Sequence, residues 1–250
     1  MQKSNLTTLE GRNVVFESLK SGRNIKKIIV EVTASGDKID KILKLATNKR
    51  IEILKADRGN LNRMSVTKNH EGVIALAKRI EPLTFKQFTT GSNFNKNNIA
   101  LVVLRGIIHD QNLGAIIRSA AASGIDAIAL TKEKKGFFIN PNIERISEGG
   151  SNYVTFIKES FFSLLKNLKK DGFKIIAVEN NADNFYFNED FSGRVAFIFG
   201  NEAETLDTKN IDGLVKIPME ANLSSLNVSV SAGVIFYERY RQLNKNLWKN

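Results

Sequence analysis

Apolar positions along the first 80 residues alternate between helical spacing and strand-like runs. The pattern predicts helices over residues 7–20, 38–48 and 57–64 and strands over residues 25–32, 51–55 and 73–77. Asp57 is a candidate N-cap for the third of these helices. Because helices and strands alternate, we expect a small α/β domain at residues 1–80.

The second half repeats the alternation with more apolar strands. Predicted strands cover residues 99–104, 127–130, 174–178, 194–199 and 214–217, and predicted helices cover residues 113–122, 161–169 and the apolar run after Asn227. Ser224, Ser225 and Asn227 are candidate N-caps of that last helix. Apolar strands joined through helices predict a mostly parallel sheet, covered on both faces, at residues 99–250. Residues 81–98 end in the polar run GSNFNKNN and are predicted to be a linker.

Charge separates the two halves. The chain has 250 residues and a net charge of +11. Residues 1–90 hold 18 Lys and Arg against 9 Asp and Glu, whereas residues 91–250 hold 19 against 17. This asymmetry favours a polyanion-binding module joined to a nearly neutral one, and the alternative is a basic surface without a partner.

Several function classes are excluded by composition. The chain has no Cys, so disulfides and Cys-ligated metals are excluded, and its two histidines cannot build a multi-histidine metal site. The N-terminal residues lack the apolar core of a signal peptide, and no apolar run is long enough for a membrane span. Neither G-x-G-x-x-G nor a P-loop occurs. We expect a cytoplasmic protein without a metal.

Three short motifs follow predicted strands of the second half, where parallel sheets bind their ligands. They are NLGAIIR at residues 112–118, FGNE at residues 199–202, and IPM at residues 217–219 together with SLNVSV at residues 225–230. In this order they resemble the three motifs of the SpoU/TrmH-type RNA 2′-O-methyltransferases of the SPOUT superfamily. The first domain resembles, more loosely, the ribosomal-protein-L30e-like substrate-binding domain of that family, through GRNVVFE and NHEGVIALA.

The resemblance implies an α/β fold with a C-terminal trefoil knot, a homodimer, and S-adenosylmethionine as the methyl donor. The final helix is a candidate for the dimer interface, although burial in the core explains its apolar residues equally well. The family's cofactor positions correspond here to Gly200, Asn201, Ile217, Met219 and Leu226. Gly200 lacks a Cβ, which lets the backbone approach a ligand closely.

The resemblance also implies the catalytic residues. They correspond to Arg118, Asn112, Glu202, Ser225 and Asn227. Asn112 is expected to cap the helix that carries Arg118. Arg118 has two open roles: it can stabilise the alkoxide that develops on the ribose 2′-oxygen and position a phosphate, or it can act as the base, and electrostatics favours the first because an arginine is almost always protonated.

Contacts to RNA are expected from the basic first domain. The candidates are Arg12, Asn13, Arg23, Arg63, Lys68 and Asn69. Glu71 stands where the family usually has Gln, and an acidic residue there would repel phosphate. We therefore assign it no RNA contact.

The chain departs from the family pattern at two motifs. Gln111 replaces the usual Pro in the first, and Ala203 and Thr205 replace two glycines of the second. Both glycine replacements add a Cβ to a loop, which puts cofactor affinity in question.

The two-domain layout resembles that of the enzymes that methylate guanosine of large-subunit rRNA. The alternatives are a tRNA methyltransferase of the same family, an antibiotic-resistance target, or a non-catalytic RNA-binding or ribosome-assembly protein.

Overall fold

The computed structural model describes residues 5–106, 109–131, 139–200, 210–220 and 225–248, with backbone alone at residues 92, 93 and 248. Its contacts divide the chain into two compact units. The first unit contains residues 1–81 and 138–153, and the second contains residues 82–137 and 154–250.

The first unit is a four-stranded sheet with helices on both faces. Its strands are β1 (Leu6–Glu10), β2 (Ile25–Glu31), β3 (Glu52–Ala56) and β4 (Val73–Lys78), and its first helices are α1 (Arg12–Lys20), α2 (Asp37–Asn48) and α3 (Arg58–Met64). The strand order is β1-β4-β2-β3, in which β2 and β3 are parallel and the other pairs are antiparallel. Helices α1 and α2 cover one face, and Leu61 of α3 packs on the other.

The predicted helix over residues 7–20 is wrong at its start. Residues 6–10 form β1 and pair with β4, because buried Thr7 and Leu9 alternate with half-buried Leu6 and Thr8, as suits an edge strand. Gly11 then turns the chain with a φ of +99°, and α1 begins at the next residue. Asp57 caps α3 as predicted, since its carboxylate accepts a hydrogen bond from the Asn60 amide at 2.8 Å.

Residues 138–153 pack with the first unit although they come from the middle of the second half. They contain α6 (Pro141–Ile146), a helix that the periodicity missed because it is only 6 residues long. Glu144 of α6 is fully buried and forms an ion pair of 2.7 Å with Arg23. Tyr153 donates a hydrogen bond to Glu17 of α1 at 2.6 Å. The first unit is therefore built from two separate pieces of chain.

The second unit is a seven-stranded sheet. Its strands are β5 (Ile99–Arg105), β6 (Ala127–Thr131), β7 (Thr155–Ile157), β8 (Lys174–Val178), β9 (Asn184–Phe185), β10 (Arg194–Phe199) and β11 (Gly213–Lys216). Their order is β7-β6-β5-β10-β8-β11-β9, and all the pairs are parallel. The predicted mostly parallel sheet is confirmed. The sequence reading missed β7 and β9, which are 3 and 2 residues long.

Helices cover both faces of this sheet. They are α4 (Phe85–Thr89), α5 (Asp110–Ser123), α7 (Phe161–Lys170) and α8 (Val228–Leu243). Helices α4 and α7 pack on one face, and α5 and α8 pack against each other on the opposite face, where Phe236 meets Phe199 edge to face at 6.0 Å. The central strands β5, β6 and β10 are buried on both faces, which explains their continuous apolar sequences.

The segment predicted as a linker, residues 81–98, contains folded structure. Phe85 and Phe88 of α4, and Phe94 in the 3₁₀ turn that follows, are buried in the core of the second unit. These three aromatic side chains anchor the segment in the core. The polar residues between them made the segment resemble a linker in the sequence.

The predicted trefoil knot stays a prediction, because residues 201–209 and 221–224 lie outside the described residues. None of the helices in the described ranges combines the length and the apolar character that crossing a membrane requires.

Candidate active site

Two central strands of the second unit end side by side. Strands β5 and β10 pair in parallel, with Leu104 opposite Phe199, so Arg105 and Gly200 leave the sheet at the same edge. From β5 the chain builds β6 and β7 on one side, and β10 and β8 lie on the other. The strand order thus reverses between β5 and β10, and such a switch point is where open parallel sheets bind ligands.

The first and third sequence motifs meet at this edge. Asn227 donates a hydrogen bond from its side-chain amide to the side-chain oxygen of Asn112 at 3.1 Å. Asn227 is also the N-cap of α8, where its oxygen accepts from the backbone and hydroxyl of Ser229 at 2.9 and 2.7 Å. A single asparagine therefore starts α8 and ties it to α5.

Asn112 does not cap α5 as predicted. The helix begins at Asp110, with His109 at the N-cap and no side-chain capping bond there. An acidic residue in the first turn suits the helix dipole, which lets the helix start earlier. Asn112 lies in that first turn, and its side chain is turned to Asn227 instead.

Arg118 lies on the exposed side of α5. It is six residues beyond Asn112, which places it about 9 Å further along the helix axis. Within the described ranges no hydrogen bond or ion pair engages its guanidinium. The group is therefore available, in this part of the chain, to hold a phosphate or an oxyanion.

The predicted cofactor residues that the structure describes gather at the same edge. No atom of the described residues lies within 4 Å of a Cβ built on Gly200, so that part of the chain leaves open space beside the end of β10. Ile217 and Met219 follow β11, and Leu226 and Ser225 precede α8; all four are half-buried. Asn201 and Glu202 lie outside the described residues.

This arrangement fits S-adenosylmethionine. Half-buried apolar side chains can enclose its adenine ring, and the open space at Gly200 admits a ligand against the backbone. When bound, the cofactor supplies a methyl group activated by its sulfonium. The chain's own task is then to orient the ribose hydroxyl and assist its deprotonation.

Three of the six predicted RNA residues line one polar pocket of the first unit. Arg12, Lys68 and Asn69 surround a cavity of about 450 Å³. Arg58, Asn62, Glu31 and Glu71 also face it. Sequence reading missed Arg58 and Asn62. Their position next to the Asp57 cap was the available signal, since both belong to the first turns of α3.

A hydrogen-bond network fixes the wall of this pocket. The backbone amide of Arg12 donates to the Glu71 carboxylate at 2.9 Å, so Glu71 caps the otherwise uncapped α1. The Arg12 guanidinium donates to the carbonyl oxygens of Glu71 and Ser35 at 3.0 and 3.1 Å. His70 is buried and accepts from the Gly72 amide through Nδ1, so its proton is on Nε2, next to the Asn62 side chain.

The other three predicted RNA residues are engaged elsewhere in the first unit. Asn13 donates to Glu148 at 2.6 Å, and Arg63 donates to Asn60. The Arg23 side chain is only 7% exposed and is paired with Glu144. A buried, paired guanidinium cannot reach a phosphate without breaking that pair. The geometry therefore gives Arg23 a structural role.

Glu10 holds the segment that leads into the pocket residues. Its carboxylate accepts hydrogen bonds from the Ser65 hydroxyl and from the backbone and hydroxyl of the segment Val66–Thr67, at 2.6 to 3.1 Å. Burial by itself would raise the pKa of Glu10, but these hydrogen bonds outweigh it and lower the pKa. The charged carboxylate holds the segment that leads into residues 68–72.

Fold and site together define a class: a parallel α/β protein with a candidate ligand site at a strand switch point and a second, basic unit. Residues 100–237 match the model of the SpoU rRNA Methylase family, and residues 8–83 match the RNA 2′-O ribose methyltransferase substrate-binding model. The first match covers more than half of the chain. This protein belongs to the SpoU rRNA methylase family.

Individual relatives agree with this family. The chain is 28% identical over 240 residues, 94% of its length and 96% of the other, to a protein of Staphylococcus aureus (strain COL) described as a TrmH family tRNA/rRNA methyltransferase. It is 27% identical over 237 residues, 93% and 95% of the two lengths, to the 23S rRNA (guanosine-2′-O-)-methyltransferase RlmB of Xanthomonas axonopodis pv. citri (strain 306).

Solved structures share the fold. An RNA 2′-O ribose methyltransferase superposes with a TM-score of 0.77 at 24% identity, covering 96% of this chain and 89% of that one. The SpoU methyltransferase AviRb of Streptomyces viridochromogenes, in complex with AdoMet, has a TM-score of 0.77 at 19% identity and covers 97% and 92%. The chain is an RNA 2′-O-ribose methyltransferase that uses S-adenosylmethionine. The interpretation as a non-catalytic protein is set aside.

Proposed function

We propose that this methyltransferase modifies the ribose of a guanosine in large-subunit (23S) rRNA. The observation that carries the proposal is the similarity to the Xanthomonas enzyme, which extends over 93% of the chain and so includes both units. The basic first unit supports it, because the excess of Lys and Arg falls where the substrate-binding model matches. Such an enzyme would work in the cytoplasm, where ribosomes are assembled.

Transfer of a tritiated methyl group tests this proposal. Labelled S-adenosylmethionine is incubated with unmethylated large-subunit rRNA, and the product is digested to nucleosides. We expect the label in 2′-O-methylguanosine. Label in another nucleoside, or none from a preparation that binds the cofactor in calorimetry, would contradict the proposed target.

A tRNA target is the second candidate. The Staphylococcus relative is described as a tRNA/rRNA methyltransferase, so its similarity favours neither tRNA nor rRNA as the substrate. The same assay with unmodified total tRNA separates the two, because only the true substrate accumulates label in proportion to enzyme and time.

Within the site, we propose that Arg118 stabilises the developing alkoxide and holds the adjacent phosphate. Asn112, Ser225, Asn227 and Glu202 order the site around the hydroxyl, and Gly200, Asn201, Ile217, Met219 and Leu226 hold the cofactor. The hydrogen bond between Asn112 and Asn227 supports this grouping. Arg118→Ala is expected to abolish transfer with cofactor binding intact, and Arg118→Lys, which keeps the charge, to restore only part of the rate.

For the RNA, we propose the polar pocket of the first unit as a contact site. Arg12, Arg58, Lys68 and Asn69 face it together. Arg58 and Asn69 are exposed, so their side chains can reach a ligand. Arg58→Ala is expected to weaken RNA binding several-fold in fluorescence anisotropy. Lys26→Ala removes an exposed cation outside the pocket and serves as the matched control.

We also propose a homodimer that uses the outward face of α8. Ile235 and Phe236 of this helix are buried, whereas Val230 and Tyr237 are 51% and 48% exposed. Two large apolar side chains, seven residues apart, lie on one side of the helix. Tyr237→Glu is expected to shift the molecular mass in light scattering from dimer to monomer, and an unchanged dimer would exclude this face.

A further inference from the structure

A group of basic and aromatic side chains lies where β5 and β7 end and α7 begins. We call it the α7 surface, and it consists of Arg105, Lys158, Phe161, Phe162 and Lys166. None of these residues belongs to the three family motifs. The surface lies within the second unit.

Its aromatic pair is divided between the core and the solvent. Phe161 is buried, and the Arg105 guanidinium lies over its ring at 4.7 Å from the centroid. Phe162 is 57% exposed and meets Phe161 edge to face, with the ring centroids 5.5 Å apart. An exposed phenylalanine next to a stacked arginine offers a free aromatic face in a positive environment.

The packing of α7 does not require Phe162. The helix is anchored by buried leucines at positions 164, 165 and 168, which face the sheet together with Phe161. Phe162 lies off this stripe. A single exposed apolar side chain is common on protein surfaces, so the exposed ring matters here because cations surround it.

The surface is also positively charged. From Lys158 to Lys170 the chain has four lysines and one acidic residue, Glu159. Glu159 is already occupied, because it accepts hydrogen bonds from the Phe85 amide, the Ser163 hydroxyl and the Asn167 amide at 3.1, 2.7 and 2.8 Å. Lys158 and Lys166 are exposed on either side of Phe162 in the sequence.

The α7 surface is close to the candidate active site in the sheet. Arg105 is the last residue of β5, and the strand beside it, β10, ends at Phe199 just before Gly200. The side chain of Arg105 points to the α7 face, whereas Asn112 and Asn227 belong to the face covered by α5 and α8. A chain of nucleotides that crosses this edge would therefore meet both.

We propose that the α7 surface binds an unpaired nucleotide of the substrate RNA beside the target ribose. The base stacks on Phe162, and Lys158 and Lys166 contact the phosphates on either side. Aromatic rings with flanking cations are the usual platform for single-stranded RNA, because every base has a face to stack. The proposal rests on the RNA substrate argued above and adds where that RNA is held. A second copy of the chain is a poorer occupant, since two lysine-flanked surfaces would repel each other.

Kinetics of the full-length enzyme test the proposal. Phe162→Ala is expected to raise the KM for RNA by about 5- to 100-fold, the range that loss of one stacked base produces. The kcat at saturating RNA and the Kd for S-adenosylmethionine stay unchanged. Phe187→Ala removes another phenylalanine of the same unit, which is 48% exposed and lies in the 3₁₀ turn Tyr186–Asn188 after the far edge strand β9, and it is expected to leave the KM unchanged.

Two further variants distinguish base stacking on an aromatic ring from contact with an apolar side chain of similar volume. Phe162→Tyr keeps an aromatic face and is expected to restore the KM, whereas Phe162→Leu keeps the apolar volume without that face and is expected to behave like Phe162→Ala. An unchanged KM for Phe162→Ala in an active enzyme overturns the proposal. So does equal rescue by Leu, or a change in oligomeric state on substitution, which would assign the surface to a second copy. A wild-type enzyme that transfers no label would instead contradict the proposed substrate.

Discussion

Polar side chains at the two candidate sites each perform more than one task. Asn227 caps α8 and holds Asn112. Glu71 caps α1 and, through its carbonyl, holds the Arg12 guanidinium. A substitution at such a residue changes local stability and site geometry together, so a test has to separate the two.

Asn227→Asp separates them. A carboxylate still accepts the capping hydrogen bond from Ser229 but has no proton to donate to Asn112. We expect a melting temperature near that of the wild type and a clear loss of methyl transfer. Asn227→Ala loses the helix cap as well, and we expect its free energy of unfolding to fall by about 1 kcal/mol more. Full transfer activity in Asn227→Asp would show that donation from residue 227 to Asn112 is dispensable.

Glu10 predicts a pH dependence of stability. Its pKa is lowered by folding, so the charged carboxylate stabilises the fold above its unfolded value of 4.5, and this contribution is lost as the pH falls through the folded value. We expect Glu10→Gln to unfold at lower urea concentration than the wild type at pH 7. As the pH falls below 4.5, the difference between the two proteins should shrink. A constant difference would mean that the charge of Glu10 does not contribute.

At the scale of elements, long periodic segments were predictable and short ones were not. The strands β2, β5, β8 and β10 and the helices α2, α5, α7 and α8 have enough apolar positions to show their period. The elements β7, β9 and α6 have two to six residues and form through tertiary contacts. The start of α5 was misplaced for a related reason, because any residue from His109 to Asn112 can begin a helix and packing selects among them.

Gly149, which precedes the 3₁₀ turn Gly150–Asn152, tests how closely this turn packs against α1. It has a φ of +84°, and a Cβ there would lie 2.7 Å from the Cβ of Glu17 in α1. Gly149→Ala must displace α1 or the turn, and we expect a loss of about 2–4 kcal/mol in the free energy of unfolding.

Gly22 is the matched control for this substitution. Its φ is +79°, but among the residues that the structure describes no atom lies within 4 Å of an added Cβ. Gly22→Ala therefore carries only the backbone cost of about 1 kcal/mol. Equal losses for the two variants in urea denaturation would mean that the close approach at Gly149 relaxes without cost.

For the whole molecule, the sequence supported the class of fold and the family motifs more fully than the RNA contacts. Motifs are contiguous, so Asn112 and Asn227 could be named before their hydrogen bond was known. A pocket is assembled from distant segments, and charge alone does not distinguish Arg58, which faces the pocket, from Arg23, which is buried in an ion pair. Burial and pairing are decided by the fold.

The uneven charge predicts how salt affects binding. Affinity for RNA is expected to fall steeply between 50 and 200 mM KCl, since binding releases counterions. The double variant Arg58→Ala/Lys68→Ala should reduce the slope of log K against log salt by about one to two. An unchanged slope would place the RNA outside the pocket.

The two-piece construction of the first unit has a consequence for how the protein is made. During translation residues 1–81 emerge first, but Arg23 has no buried partner until Glu144 follows. At about 5–20 residues per second the wait lasts on the order of ten seconds. During that time Arg23 lacks the carboxylate of its ion pair, and the first unit is completed only after β5 and β6, the first two strands of the second sheet, have been translated.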